Sequence, residues 1–549
     1  MSAKRLFLLL LFVTGGISNL YGQTGKIVGR VTDASTGDDL PGVNVFIEGT
    51  TQGTSTGVDG RYIVIGVRPG VYTLVASFVG YSVQRHQEVQ VNVDLTTTVN
   101  FEMAEEIFEG QEVVVTAKPV AVKKDLTSSE SRVTAETIDK LPVNELGQLL
   151  DVQAGVTTRD GIHIRGGRSS EVLFMVDGVP VSDSYDGSVS FEIEKDGIQE
   201  LQIISGTFNA EYGNAMSGVI NVVTKEGRSR KIGGSVELYS GAYAVSGDGG
   251  EAYLTGTSVE EFQNPATGVQ YADVDPYSYL DFDPGHFRSV KFSLDGPLLT
   301  ERLTFYALAR LFENDGWLYG ARLFNIDGTP GDGKLFPMDT FKKVSWQGNL
   351  KYRLSNAMSL SLISLGTNEE TRAYDFIRRW APDGRPAFTD DGYDTKLRVT
   401  HLVSDRSFYT VDVATFRREL KGRLFENAFD ERYNDFDFNP PDTVLTGGGR
   451  FARGGTWLGR GARTTTSYML KSDFETQIGH HHQVKTGFLA RVDNLDFEAF
   501  GLIPATDPET GAVIEPFVPA VPPQTSSQFN SFEDVEPFNL SAYLQDKIE

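Results

Sequence analysis

From Val344 to Leu354 apolar and polar side chains alternate. Val344, Trp346, Gly348, Leu350, Tyr352 and Leu354 fall on one face, and Ser345, Gln347, Asn349, Lys351 and Arg353 fall on the other. A period of two predicts a strand with unlike faces. Val484, Thr486, Phe488, Ala490 and Val492 form a second such face opposite Gln483, Lys485 and Arg491; Tyr468, Leu470 and Phe474 form a third opposite Lys471, Asp473 and Glu475. An apolar face for lipid and a polar face for a watery lumen is the pattern of a transmembrane β-barrel. At roughly ten residues per tilted crossing, residues 231–549 hold about ten to twelve strands. Gly296-Pro297 to Arg302 and Ser355-Asn356 predict tight turns, while 261–285, 319–339, 427–453 and 493–539 predict long loops. Short turns on one side and long loops on the other suit the same architecture.

Residues 25–104 carry a different rhythm. Ile27-Val28-Gly29-Arg30-Val31 and Val43-Asn44-Val45-Phe46-Ile47 alternate, and Asp33 to Asp39, Pro41-Gly42, Asp59-Gly60 and Pro69-Gly70 punctuate them. Short strands at regular spacing predict a small β-sandwich. Residues 105–130 break the pattern around Glu112, Val113, Val114, Val115, Thr116 and Ala117. A β-branched run flanked by linker composition reads either as a strand without its own sheet, free to complete a partner's sheet edge, or as the last strand of the sandwich. Residues 131–228 mix periods. Leu146, Leu149 and Leu150 repeat at helical spacing, with Asn144 as a candidate cap and Gly155 as a stop. Leu173 to Val176, Ile198 to Gly206 and Val219 to Lys225 read as strands.

At the N-terminus Lys4 and Arg5 precede the apolar run Leu6 to Val13, and small residues lead to Gly22. This predicts a signal peptide over 1–22, since the run is too short to span a bilayer as a helix. The net charge of −24 excludes nucleic acid as a partner, because there is no basic excess to neutralise phosphates. With no cysteine there are no disulfides or thiolate metal sites. A mean hydropathy of −0.23 rules out a bundle of membrane helices.

Two resemblances follow from ordered residues. Gly29-Arg30-Val31-Thr32-Asp33, Leu40-Pro41-Gly42-Val43, Gly49-Thr50, Asp59-Gly60-Arg61-Tyr62, Arg68 to Leu74 and Val79-Gly80-Tyr81 resemble the carboxypeptidase regulatory-like domain. Ile138 with Leu141-Pro142-Val143, Leu149-Leu150 with Gly155-Val156, Ile164-Arg165-Gly166-Gly167, Val176-Asp177-Gly178-Val179-Pro180, Glu211-Tyr212-Gly213 and Gly218 to Lys225 resemble the plug of TonB-dependent outer-membrane receptors. The second resemblance makes residues 112–117 similar to the TonB box, the strand such receptors offer to an inner-membrane energy complex. It implies a plug motif at Arg165, Gly166, Gly167, Arg168, Asp177 and Gly178, with Arg165 and Arg168 expected to pair with carboxylates on the barrel wall.

The expected fold is mainly β: an N-terminal β-sandwich, a small α/β plug and a truncated antiparallel transmembrane β-barrel. Plugged barrels close with roughly 22 strands, so ten to twelve predicts an incomplete wall and a fragment. The strand from Ser235 and the strand ending near Glu549 are then expected not to pair. The expected function is uptake of an unknown extracellular solute across the outer membrane of a Gram-negative bacterium. The partners are outer-membrane lipid and a TonB-type complex; the alternatives are a glycan importer with a lid lipoprotein and a non-transporting adhesion or scaffold protein. No catalytic residues and no cofactor are expected. None of the seven histidines has a Glu at zinc-peptidase spacing. Gly328 to Lys334 mimics a phosphate loop but is followed by Leu335 where Ser or Thr is needed. His480-His481-His482 reads as a turn. Asp273, Asp275, Asp281 and Asp283 are the best calcium candidates, though a solvated acidic loop is the simpler reading.

Overall fold

The computed structural model describes residues 24–548 except 51, 94, 106–112, 117–128, 190–191, 214, 229–230, 243–284, 317, 356, 405, 436–443, 447–448, 480–481 and 528. The signal-peptide segment, Glu112, Ala117, His480, His481 and the four candidate calcium ligands lie outside the described residues.

The N-terminal module is a sandwich of two sheets. One contains β1 (Gly25–Asp33), and the other contains β2 (Asn44–Ile47) and β3 (Gly53–Ser55). β4 (Arg61–Val67) joins the first; β5 (Gly70–Ser77) and β6 (Gln84–Val91) join the second; β7 (Thr96–Thr98) and β8 (Phe101–Met103) return to β1. The alternation seen in the sequence places Ile27, Val31, Val43, Val45, Ile47, Val64 and Val67 in one core with Tyr62 and Phe101. The Tyr62 hydroxyl donates to Val99 O at 2.5 Å, which satisfies its one buried polar atom. β9 (Val113–Thr116) is not a strand without a sheet. It pairs in parallel with β6, from Gln84↔Val113 to Gln87↔Thr116, and forms the edge of the order β3-β2-β5-β6-β9.

The second module opens with β10 (Ser129–Thr134), α1 (Ala135–Lys140) and α2 (Leu146–Asp151). Asn144 does not cap α2: Glu145 holds that position, and the Gln148 side chain accepts from Asn144 N at 2.8 Å. β11 (Val156–Thr157) and β12 (His163–Ile164) form a short hairpin. β13 (Val172–Val176), β14 (Val179–Pro180), β15 (Ile198–Ser205) and β16 (Gly218–Thr224) join β10 in a sheet of order β10-β15-β16-β13-β14. β16 is buried along its whole length; its apolar residues lie on both faces, and the Asn221 side chain in the middle is satisfied by donating to Gln202 and accepting from Gly178 N.

The third module is an open antiparallel wall. β17 (Gly233–Gly241), β18 (Phe287–Pro297) and β19 (Leu303–Asn314) begin it. After the small hairpin of β20 (Tyr319–Ala321) and β21 (Leu335–Pro337) come β22 (Thr340–Arg353), β23 (Met358–Arg372), β24 (Ala387–Ser404) and β25 (Ser407–Arg423). A second small hairpin, β26 (Val444–Thr446) with β27 (Gly449–Phe451), precedes β28 (Gly459–Ile478) and β29 (His482–Gly501). A third, β30 (Ile503–Pro504) with β31 (Pro519–Ala520), precedes β32 (Phe529–Val535) and β33 (Phe538–Ile548), which lie end to end along β29. Among the described residues β17 and β33 stand at opposite edges and do not pair.

Burial in the wall is inside out. On β22, Lys343, Ser345, Gln347 and Asn349 are buried, while Val344, Trp346, Leu350 and Tyr352 are 37–44% exposed. A water-soluble sheet would bury the second set; this one turns it outward, as a strand facing hydrocarbon does. Two expectations are corrected. β28 and β29 run for 20 residues each, about twice a bilayer crossing, because the hairpin ladder continues beyond the apolar band. The loop expected over 493–539 is accordingly shorter, with β29 reaching Gly501 and β32 starting at Phe529. The turns joining β18 to β19, β22 to β23, β24 to β25 and β28 to β29 are short, and the connections at the other rim are long.

Candidate functional site

The plug sheet sits against the lumen face of the wall. Its core of Val172, Phe174, Val176, Leu201, Ile220 and Val222 continues into Ile363 and Leu365 of β23, Ala414 and Phe416 of β25 and Met469 of β28. Around that apolar contact runs a belt of ion pairs in which the plug carries the carboxylates and the wall the cations. Lys343 Nζ lies 2.5 Å from Glu192 and 3.2 Å from Glu145. Arg310 lies 3.1 Å from Glu194, whose other oxygen accepts from Ser345 Oγ at 2.6 Å. Lys291 pairs with Asp196, Lys351 lies 2.9 Å from Glu226, and Arg463 lies 3.1 Å from Asp183.

Arg165 and Arg168 are exposed and make none of the wall contacts above, which come from acidic residues of other plug segments. Arg165 has φ 50° and Gly166 φ 78°, so the chain turns sharply once Ile164 is buried and carries both guanidinium groups away from the packed face. Gly167 has its own constraint, since a Cβ there would collide with the Ser217 side chain.

Asp177 and Gly178 form the turn between β13 and β14, with φ 46° and 79°. Asp177 is fully buried. One carboxylate oxygen accepts from Thr224 N at 3.0 Å and the other from Thr224 Oγ1 at 2.7 Å; Arg398 donates to its backbone carbonyl. Burial pushes this carboxyl up, but Lys396, Arg68 and Arg398 outweigh it and hold it below the usual range. Asp177 therefore ties the plug sheet to the wall as an anion.

Glu192 behaves oppositely. Burial pushes it up, Lys343 draws it down, and Glu145 and Glu194 push it up again, leaving it at about 7. A carboxyl raised from 4.5 in the free chain to about 7 in the docked plug favours docking while protonated, so that contribution is lost as pH rises from 4.5 to 7. Urea titration of plug release between pH 4.5 and 8 should show this decline in the wild type. It should be reduced in Glu192→Gln, where Lys343 keeps Glu145 and Glu194; an unaltered slope would show that Glu192 does not contribute to docking.

At the long-loop rim a cavity of about 710 Å³ opens above the plug. Phe388, Trp457, Phe497 and Phe500 line it with Lys421, Arg460 and Arg463, and Gly422, Gly459 and Gly461 give it depth. Gly422 admits the Phe388 ring and Gly459 the Trp457 ring, because a Cβ at either would strike them. Plug residues Tyr185 and Asp186 touch two of the residues that line it. Arg463 stacks over Tyr185 at 4.4 Å and lies 2.8 Å from Asp186; Tyr185 in turn stacks on Phe497 at 6.3 Å. Matter entering the cavity would therefore touch residues that hold the plug loop. Among the described residues no group of three His, Asp or Glu is placed to hold a metal ion.

Two family profiles match the chain: the CarboxypepD_reg-like domain over residues 27–115 and the TonB-dependent Receptor Plug Domain over residues 122–219. The chain carries a TonB-dependent receptor plug. The first match runs through Val113–Val115, in keeping with the pairing of β9 on the sandwich. The chain is 34% identical over 212 residues to TonB-dependent receptor P26 of Formosa agariphila, covering 36% of this chain and 20% of that protein. It is 23% identical over 388 residues to the TonB-dependent transporter Oar of Myxococcus xanthus, covering 64% of this chain and 34% of that one. Its fold is similar to that of the outer membrane transporter YddB from Escherichia coli, with a TM-score of 0.50 and 13% identity over 76% of this chain and 54% of that chain. The chain thus spans a fifth to a third of these curated relatives.

Lys343, Glu192, Glu194, Arg463 and Tyr185 were not singled out from the sequence. Lys343 was within reach, since it extends the polar face of Ser345, Gln347 and Asn349 by one step. The plug carboxylates had no comparable signal.

Proposed function

We infer that this chain is the plug-bearing part of an outer-membrane receptor that binds an extracellular solute and admits it to the periplasm of a Gram-negative bacterium. Export is by the signal peptide over 1–22. Residues 112–117 are the strand a TonB-type complex grips. The solute seat is the aromatic cavity at the long-loop rim, the side that faces outward in such barrels. The observation that carries this reading is the plug belt: a soluble domain would not be held in a lipid-facing wall by paired charges around a modest apolar contact. Paired charges suit a plug that must leave and return, because water can replace each partner as the pair separates.

Depletion of solutes from the medium tests the reading. Intact cells with the protein should deplete at least one solute that cells without it leave. Collapse of the proton gradient should stop depletion while surface binding persists. Depletion that continues without the gradient, or binding with no import at all, would reject it in favour of a passive pore or an adhesion protein.

A further inference from the structure

We propose that the N-terminal sandwich lies in the load path between the coupling strand and the plug, and undocks before the plug moves. This rests on the reading of residues 112–117 as the gripped strand. Three contacts place the sandwich against the short-turn rim. Arg68, in the turn between β4 and β5, leaves the sandwich to pair with Glu226 and lies 3.8 Å from Asp177. Ile65 and Phe408 pack together in one buried cluster with Ile63, Leu402 and Phe474. Lys26 Nζ donates to Gln477 Oε1 at 3.1 Å.

β4 is two-faced. Tyr62, Val64 and Val67 fill the sandwich core, whereas Ile63 and Ile65 point the other way, onto the wall. Those two isoleucines have no use in a freely suspended spacer. Arg68 enters the plug at a sensitive place: its partner Asp177 is bonded to Thr224, the last residue of the central strand β16, and Glu226 lies two residues further on.

β9 hangs from the same module. Its parallel pairing with β6 gives evenly spaced hydrogen bonds that a pull along the strand loads together rather than one at a time. β6 pairs with β5, and β5 begins two residues after Arg68. Force applied to β9 has a route through β6 and β5 to Arg68 and into the plug. The competing route is the covalent one, through residues 117–128 to β10.

Single-molecule pulling separates the two. The protein in a lipid bilayer is held by a thiol at Val113→Cys; residues 1–549 contain no cysteine, and any cysteine outside them is first replaced by serine. In the load-path arrangement the first rupture is undocking of the sandwich, and its force should fall by about a third or more in Arg68→Met and in Ile65→Ala, since forced unfolding follows the barrier of the loaded contact. Ile65→Ala spares the sandwich core, so the pair of variants guards against a mere folding defect. Traces that superimpose on the parent in both variants would overturn the proposal and leave the covalent route. The measurement needs neither solute nor partner, so it stands or falls apart from the coupling reading, which Val114→Pro tests.

Discussion

Val114→Pro is expected to abolish energised uptake while leaving solute binding intact. Proline has no backbone N–H and fixes φ near −65°, so it removes a ladder donor from a four-residue strand. A partner that grips this segment by adding its own strand depends on such main-chain bonds. Val114 also lies opposite Arg85 of β6, so the fixed φ and the ring of proline disturb that pairing as well, whichever edge the lost donor faced. Extra accessibility without uptake is therefore the expected pair of results: faster amide exchange at Val113–Thr116 and no accumulation of solute. Wild-type accumulation in the variant would show that the segment is not the coupling strand. The cavity at the opposite rim is remote from this change, so surface binding of solute serves as the control.

Lys343→Met is expected to weaken plug docking by about 3–5 kcal/mol, the usual loss when one partner of a buried ion pair is removed. The Lys343 side chain has no solvent exposure, and its ammonium group faces Glu192, Glu145 and Glu194 at 2.5, 3.2 and 3.9 Å. Without it, Arg310 is the cation that still faces that cluster among the described residues, at 3.1 Å from Glu194 and 3.6 Å from Glu145. Glu192 and Glu145 are 25% and 29% exposed, so water offsets part of the loss and the lower end of the range is the better figure. Urea-driven release of the plug, followed by protease cleavage within 131–228, reads it directly. Adding Glu192→Gln to Lys343→Met should restore part of the stability by removing one stranded carboxylate. Unchanged release in Lys343→Met would mean that the apolar contact with Phe416 and Met469 holds the plug unaided.

The wall was legible because its signal is local. Each residue of β22 needs only its neighbours two positions away to declare which face it belongs to, and lipid on one side with a polar plug on the other keeps that alternation clean. The sandwich was legible for a similar reason, through turns at Pro41-Gly42, Asp59-Gly60 and Pro69-Gly70. The strand lengths were not: a bilayer explains about ten residues, and nothing in the sequence marks where β28 or β29 leaves the membrane and continues as a paired ribbon. The position of β9 is not legible, because a short Val-rich strand carries no mark of its neighbour. The surroundings of Arg165 and Arg168 are hidden for a different reason. Charge alone says that a side chain wants a partner or water, and the turn at Arg165-Gly166, which carries both side chains off the face packed on this wall, depends on how the hairpin of β11 and β12 packs.

The linear pattern carries the order of the modules, the lipid-facing side of each wall strand and the turn chemistry, because all of these follow from periods of two to four residues and from glycine and proline. Which charges meet is settled by packing. Lys343 and Glu192 stand 151 positions apart, and Arg463 and Asp183 stand 280 apart. Their pairing is set by how the plug seats against the wall, and that seating follows from the shape of the apolar contact they surround. Coulombic attraction depends on distance in space, and a linear pattern holds no record of that distance between segments so far apart.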